Sequence, residues 1–138
     1  MDEDVIARFC AATKLGDVDA VIETFTPDGE LVSPLAGRAV FRGHEDLRVL
    51  FSILLPALSG FAWDHRIDGD GTAVVVARAR VLGIRIGDAI LIEQDAHGRI
   101  RRLTPHVRPW LGLTALALVL APKLVRHPAV LRRVFRRG

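Results

Sequence analysis

Few residues of this chain have the type and setting to do chemistry, and the foremost is a carboxylate. Asp88 opens Asp88-Ala-Ile-Leu-Ile-Glu93, a run that reads as a strand in which Asp88, Ile90 and Ile92 share one face with Ile86. An acid on that apolar face is desolvated and its pKa rises, which suits a general acid or base. The plainer reading is a strand-end carboxylate that caps the turn near Gly87 or pairs with an arginine. His65 shares parity with Phe61, Trp63 and Ile67. It therefore falls on the apolar side of its own strand, either as a pocket imidazole or as a hydrogen-bonded core or dimer-contact histidine. Asp64 points the other way and cannot orient it. Cys10 is the single cysteine and has no ligand-spaced partners, so neither an intrachain disulfide nor a metal site is expected. No glycine-rich loop leads from a strand into a helix, so no nucleotide cofactor is expected, nor any other cofactor.

The elements that must position these groups are marked by apolar spacing. Val5, Ile6, Phe9, Cys10, Ala12 and Leu15 give a helix from Asp4 to Leu15. Gly16 ends it, and Asp17 caps a second helix whose stripe is Val18, Val21, Ile22 and Phe25. Thr26-Pro-Asp-Gly29 breaks the pattern before a short strand, Glu30 to Ser33, closed by Pro34. A short extended piece from Ala39 leads to a third helix from His44 to about Leu55, with Glu45 and Asp46 in its first turn. Four strands then follow between Phe61 and Val107, joined by Asp68-Gly-Asp-Gly71, by Gly83 and by Gln94-Asp-Ala-His-Gly98. Short turns between consecutive strands predict an antiparallel meander.

The 138 residues suffice for one domain with a core that needs no metal or disulfide. The acidic Met1-Asp-Glu-Asp4 start lacks the basic and apolar regions of a secretory signal, so a cytoplasmic location is expected. Charge is distributed unevenly: all 16 acidic residues lie at or before Asp95, whereas the segment from Ala96 onward carries ten basic residues and no acid. Within that segment Trp110 to Ala121 is a nearly unbroken apolar run, too short to span a bilayer, that reads as a helix closing the domain or packing on a partner. Pro122 and Pro128 are each expected to end or kink a helix. From Ala129, Val130, Leu131, Val134 and Phe135 fall on one helical face and Arg132, Arg133, Arg136 and Arg137 on the adjoining one. Such a basic amphipathic helix suits an anionic membrane surface, at the inner face of the membrane, or else folds back on the acidic body of its own or a neighbouring chain. Nucleic acid is not an expected partner, since the rest of the domain is acidic and the tail has one aromatic residue.

Taken in order, a helix, Gly-Asp-Val-Asp-Ala, Thr-Pro-Asp-Gly-Glu-Leu, Phe-Arg-Gly-His-Glu-Asp-Leu and four strands with Asp-Ala-His-Gly-Arg-Ile between the last two resemble the nuclear transport factor 2-like superfamily. The likeness, strongest to its ketosteroid isomerase and SnoaL-like polyketide cyclase branches, covers about Asp4 to Val107. It implies an α+β fold in which a cone-shaped, curved antiparallel (mixed) sheet packs on three N-terminal helices around a pocket. Residues 1–108 would form the pocket domain and residues 109–138 an added helical extension; a homodimer through the sheet is expected.

The isomerase's base, tyrosine and second acid correspond to Ser33, Phe9 and Ile90, so its oxyanion chemistry is not carried over. Polyketide cyclases pair an aspartate with a histidine, which points to Asp88 with His65 as the acid/base pair. The Asp-Arg-Asp arrangement of limonene epoxide hydrolases finds arginines in Arg78, Arg80 and Arg85 but no second inward acid. The aligned last strand turns Leu103, Pro105 and Val107 inward and leaves Thr104 and His106 outside. The implied pocket lining is Phe9, Ser33, Trp63, Val75, Ala77, Ala79, Ile90, Leu103 and Val107. Three functions follow: binding of an apolar small molecule of terpenoid, sterol, polyketide or acyl type; an isomerase or cyclase using Asp88 and His65; or a protein-interaction module with a filled core.

Overall fold

In a computed structural model, which describes residues 4–35 and 39–136, the chain forms five helices and six strands among the described residues. Helix α1 (Val5–Leu15) starts where the Asp4 carboxylate accepts the Ala7 amide and stops at Gly16, whose left-handed φ of 74° no Cβ-bearing residue adopts cheaply. Asp17 caps α2 (Val18–Glu23) by accepting the Ala20 amide at 3.1 Å. Strand β1 (Phe25–Val32) is longer than the sequence pattern indicated. It begins at Phe25 and runs through Pro27, with an irregular register between Phe25 and Glu30 that absorbs the Pro-Asp-Gly segment. Strand β2 (Val40–Arg42) pairs antiparallel with β1 and leads into α3 (His44–Ala57). The His44 ring ties that helix to β1: its Nε2 faces the Thr26 and Phe25 carbonyls at 3.0 and 3.3 Å, so it carries the donated proton.

Strands β3 (Ser59–Asp68), β4 (Thr72–Val81), β5 (Ile84–Gln94) and β6 (Ile100–Arg108) form the expected antiparallel meander. The β4–β5 hairpin turns on two residues, Leu82 and Gly83, both with positive φ. That turn matches the strands' right-handed twist. Strand β6 also pairs in parallel with β1, which gives one mixed sheet of order β2-β1-β6-β5-β4-β3, open at both edges. Along β4 the inner residues Ala73, Val75, Ala77, Ala79 and Val81 are buried, while Arg78 and Arg80 on the outer face are exposed.

Helices α1 to α3 cover the concave face. There Phe9, Phe25 and Phe51 meet edge-on or tilted at centroid distances of 6.0 to 6.5 Å, and Trp63 joins Phe9 at 6.1 Å. Helices α4 (Trp110–Leu124) and α5 (Pro128–Arg136) complete the same core with Ala115, Leu116, Leu120, Leu124, Val130 and Val134. Of the two expectations for Pro122, ending or kinking the helix, the first does not hold: the proline lies inside α4. It sits in the last turn on the exposed side, where the carbonyl it leaves without a helical partner can meet water. Helix α4 lies close on β5: a Cβ on Gly112 would stand 2.3 Å from Ile86 Cγ2 and 3.3 Å from the Arg85 carbonyl.

Candidate functional site

The concave side of the sheet, α3, α4 and α5 enclose a cavity of about 320 Å³ whose lining is almost wholly apolar. Strands β5 and β6 supply its floor. Ile86, Asp88 and Ile90 point into it from alternate positions of β5, and Leu103, Pro105 and Val107 from alternate positions of β6. Leu50, Phe51 and Leu54 of α3 form one wall, and Leu116, Leu120 and Leu124 of α4 the other.

Among the described residues, Asp88 is the single ionisable side chain in this lining. Its Oδ1 accepts the backbone amide of His106 on the neighbouring strand at 3.0 Å. Burial among the hydrocarbon lifts its pKa from 3.8 to about 6, and the His106 amide and the nearby His106 ring partly offset the rise. A carboxyl with that pKa exchanges its proton near neutral pH. Among the described residues Ser33 is the other side-chain polar group in the wall, its Oγ accepting the Leu35 amide at 3.1 Å. Phe9, Ser33 and Ile90, the positions matched to the isomerase machinery, all line the cavity and hold no carboxylate or phenol.

His65 is not in the cavity. A one-residue bulge falls at Asp64: Trp63 stands opposite Ala77, but His65 stands opposite Val76 instead of Val75. The extra residue reverses parity, so Trp63 and Arg66 face the helices while His65 faces solvent and is exposed. The expected Asp88–His65 pair is thereby corrected, because the two side chains lie on opposite faces of the sheet.

Trp63, Val75, Ala77 and Ala79 are also corrected as lining residues. The Trp63 ring lies against Phe9 and Phe61, and its Nε1 donates to the Cys10 carbonyl at 2.9 Å. Val75, Ala77 and Ala79 of β4 are buried and do not line the cavity. Leu103 and Val107 do line the cavity, and His106 lies outside with its Nδ1 near the Ala89 carbonyl.

Of the basic tail, Arg132 and Arg136 are exposed, whereas Arg133 turns to α3. Its Nη2 lies 2.6 Å from Oδ1 of Asp46, which is 2 % exposed, and 3.7 Å from Glu45. Arg137 lies outside the described residues. The tail helix thus folds on its own body, with Leu131, Val134 and Phe135 in the cavity wall. The sequence reading missed this contribution from α5. The apolar face of the helix was visible, but its destination was not.

Among the described residues no cluster of histidine, cysteine or carboxylates could hold a metal, and no helix is long and apolar enough to cross a membrane. A SnoaL-like domain profile matches residues 6–106. The chain belongs to the SnoaL-like domain family. The fold is that of the nuclear transport factor 2-like cone. The structure is similar to an uncharacterised bacterial protein with a cystatin-like fold from Silicibacter pomeroyi (15 % identity, 94 % of this chain and 93 % of that one, TM-score 0.87). It is also similar to a steroid delta-isomerase from Pseudomonas aeruginosa (24 % identity, 91 % and 92 %, TM-score 0.81). A third similar structure is an epoxide hydrolase/cyclase-like enzyme of pyran ring formation in the polyether salinomycin (21 % identity, 75 % and 88 %, TM-score 0.65). No curated protein matches the chain at a significant level.

Proposed function

We propose that this SnoaL-like domain binds an apolar small molecule of terpenoid, sterol, polyketide or acyl type, with one polar group of the ligand turned toward Asp88. The observation that supports this most directly is that, among the described residues, one carboxylate and the Ser33 hydroxyl are set in a cavity of about 320 Å³ walled otherwise by apolar residues. That volume falls in the range of small-molecule sites, and an apolar wall with a few placed polar groups is their usual composition. At its midpoint, near pH 6, the Asp88 carboxyl can either donate to a ligand carbonyl or accept from a ligand hydroxyl.

The test is a thermal-shift screen of steroids, terpenoids and fatty acids against the full chain and Val107→Trp, whose indole would occupy the space facing Asp88. Ligand at about a hundred times its Kd stabilises by roughly 2.7 kcal/mol, so the parent protein's Tm should rise by several degrees and that of the filled variant should not. A Tm unmoved by every class would favour the interaction-module reading.

A second reading, acid/base isomerisation or cyclisation of the bound molecule, is favoured by the Asp88 pKa of about 6, near a working pH. With His65 on the other face and Phe9, Ser33 and Ile90 at the matched positions, Asp88 would shuttle the proton alone. In that case Asp88→Asn abolishes turnover of the ligand found by the screen and leaves its affinity within a few fold.

A further inference from the structure

The cavity has a mouth, and the residues around it differ from the rest of the surface. Leu35, Ala121, Val125 and Phe135 line the cavity and are also exposed, so the opening lies where the end of α4, α5 and the segment after β1 meet. Val125 and Phe135 are 64 % and 63 % exposed, and they stand together at the opening, whereas exposed apolar residues elsewhere, such as Leu15, Ile67 and Leu82, lie on separate elements. The same apolar character continues along α4. Trp110, Leu118, Ala121 and Val125 recur at helical spacing on its outer side, and Trp110 and Leu118 are 76 % and 67 % exposed.

Cations border this stripe. Arg126 follows Val125 in the turn into α5, and helical spacing puts the exposed Arg132 and Arg136 beside Phe135 on the side away from the core. No acidic residue follows Asp95 in the sequence. The two carboxylates that face α5 from α3, Asp46 and Glu45, are held by Arg133.

We propose that the cavity mouth docks on an anionic lipid surface, with Trp110, Leu118, Val125 and Phe135 entering the interface and Arg126, Arg132 and Arg136 meeting phosphate headgroups. Aromatic and aliphatic side chains ringed by cations are the composition such an interface binds, and a second copy of this surface would be repelled by its like charge. The geometry places the opening against the bilayer, so an apolar ligand passes between acyl chains and cavity without crossing water. The route for the cargo rests on the binding function proposed above; the docking surface does not.

The full chain is sedimented with vesicles of phosphatidylcholine alone and of phosphatidylcholine mixed with phosphatidylglycerol, at low and high salt. Binding to the anionic vesicles only, weakened by salt, is expected. Arg132→Gln/Arg136→Gln should lose on the order of 25-fold in partitioning, about five-fold for each cation, with an unchanged Tm and unchanged ligand shift. No binding, equal binding to both vesicle types, or an unaffected double variant would overturn the proposal. So would a dimer in sedimentation velocity that Phe135→Ser dissociates, since this face would then serve a second copy. Vesicle binding by a protein that retains no apolar ligand overturns the binding function and leaves the docking surface standing. Ligand retention without vesicle binding does the reverse.

Discussion

Replacing Asp88 by asparagine isolates the electrostatic cost of the site. The amide has nearly the shape of the protonated acid and keeps an oxygen for the His106 amide. Burial raises the Asp88 pKa from 3.8 to about 6, a separation of about two pH units, which corresponds to about 3 kcal/mol at 1.36 kcal/mol per unit. Because the carboxyl is only partly buried, solvent screening brings the expected effect to about 1–3 kcal/mol.

The sign follows from proton uptake. The folded state holds the proton to higher pH than the unfolded state, so the stabilisation from the neutral acid is complete below about pH 4 and is lost as pH rises through about 6. Urea unfolding of the parent and Asp88→Asn proteins from pH 4 to 8 gives the difference directly, since every other titrating group cancels between them. Relative to its value at pH 4, the variant should gain about 1–3 kcal/mol over the parent by pH 7 and hold that gain above it. A flat difference, or a variant that loses ground as pH rises, would refute the assignment of a desolvated carboxyl.

Further predictions follow from the packing. Gly112→Ala, which in an ordinary helix interior stabilises by up to about 1 kcal/mol, should instead destabilise by about 1–3 kcal/mol in urea unfolding, because its methyl meets Ile86 and the Arg85 carbonyl. Arg133→Ala should loosen α5: amide exchange across residues 128–136 should quicken while β4 and β5 keep their protection, and equal protection would show that the Asp46 pair does not hold the helix. His65→Ala should leave both Tm and ligand shift within error, as its side chain is exposed on the far face of the sheet; a lost ligand shift would contradict the bulge at Asp64.

The strands that carry Asp88 were legible because β4 and the start of β5 alternate with a two-residue period, which places Asp88 and Ile90 inward; the likeness to known folds placed Leu103 and Val107. His65 was misplaced because alternation cannot reveal an inserted residue. Asp-His-Arg carries no apolar marker to register the slip, and the bulge shows only against the partner strand. Trp63, Val75, Ala77 and Ala79 have the inward parity they were given, but how far the aromatic cluster extends along the cone depends on four rings from separate elements. Arg132, Arg133 and Arg136 look alike in sequence. Only the position of Asp46 on α3, 87 residues earlier, separates the arginine that latches the helix from the two left outside. The membership of α5 in the cavity wall was hidden for the same reason: its apolar stripe suited either a membrane or its own domain, and the fold buries Val130 and Val134 of that stripe while leaving Phe135 exposed.

The account's central claim is that the space in front of Asp88 receives an apolar molecule. Native mass spectrometry of the purified full chain, before and after exposure to sterols, terpenoids and fatty acids, tests it most directly. The prediction is one apolar adduct per chain in the parent protein and none in Val107→Trp, whose folded charge-state distribution is otherwise unchanged. A clean mass for the parent under every condition, or an adduct retained equally by the filled variant, would contradict it.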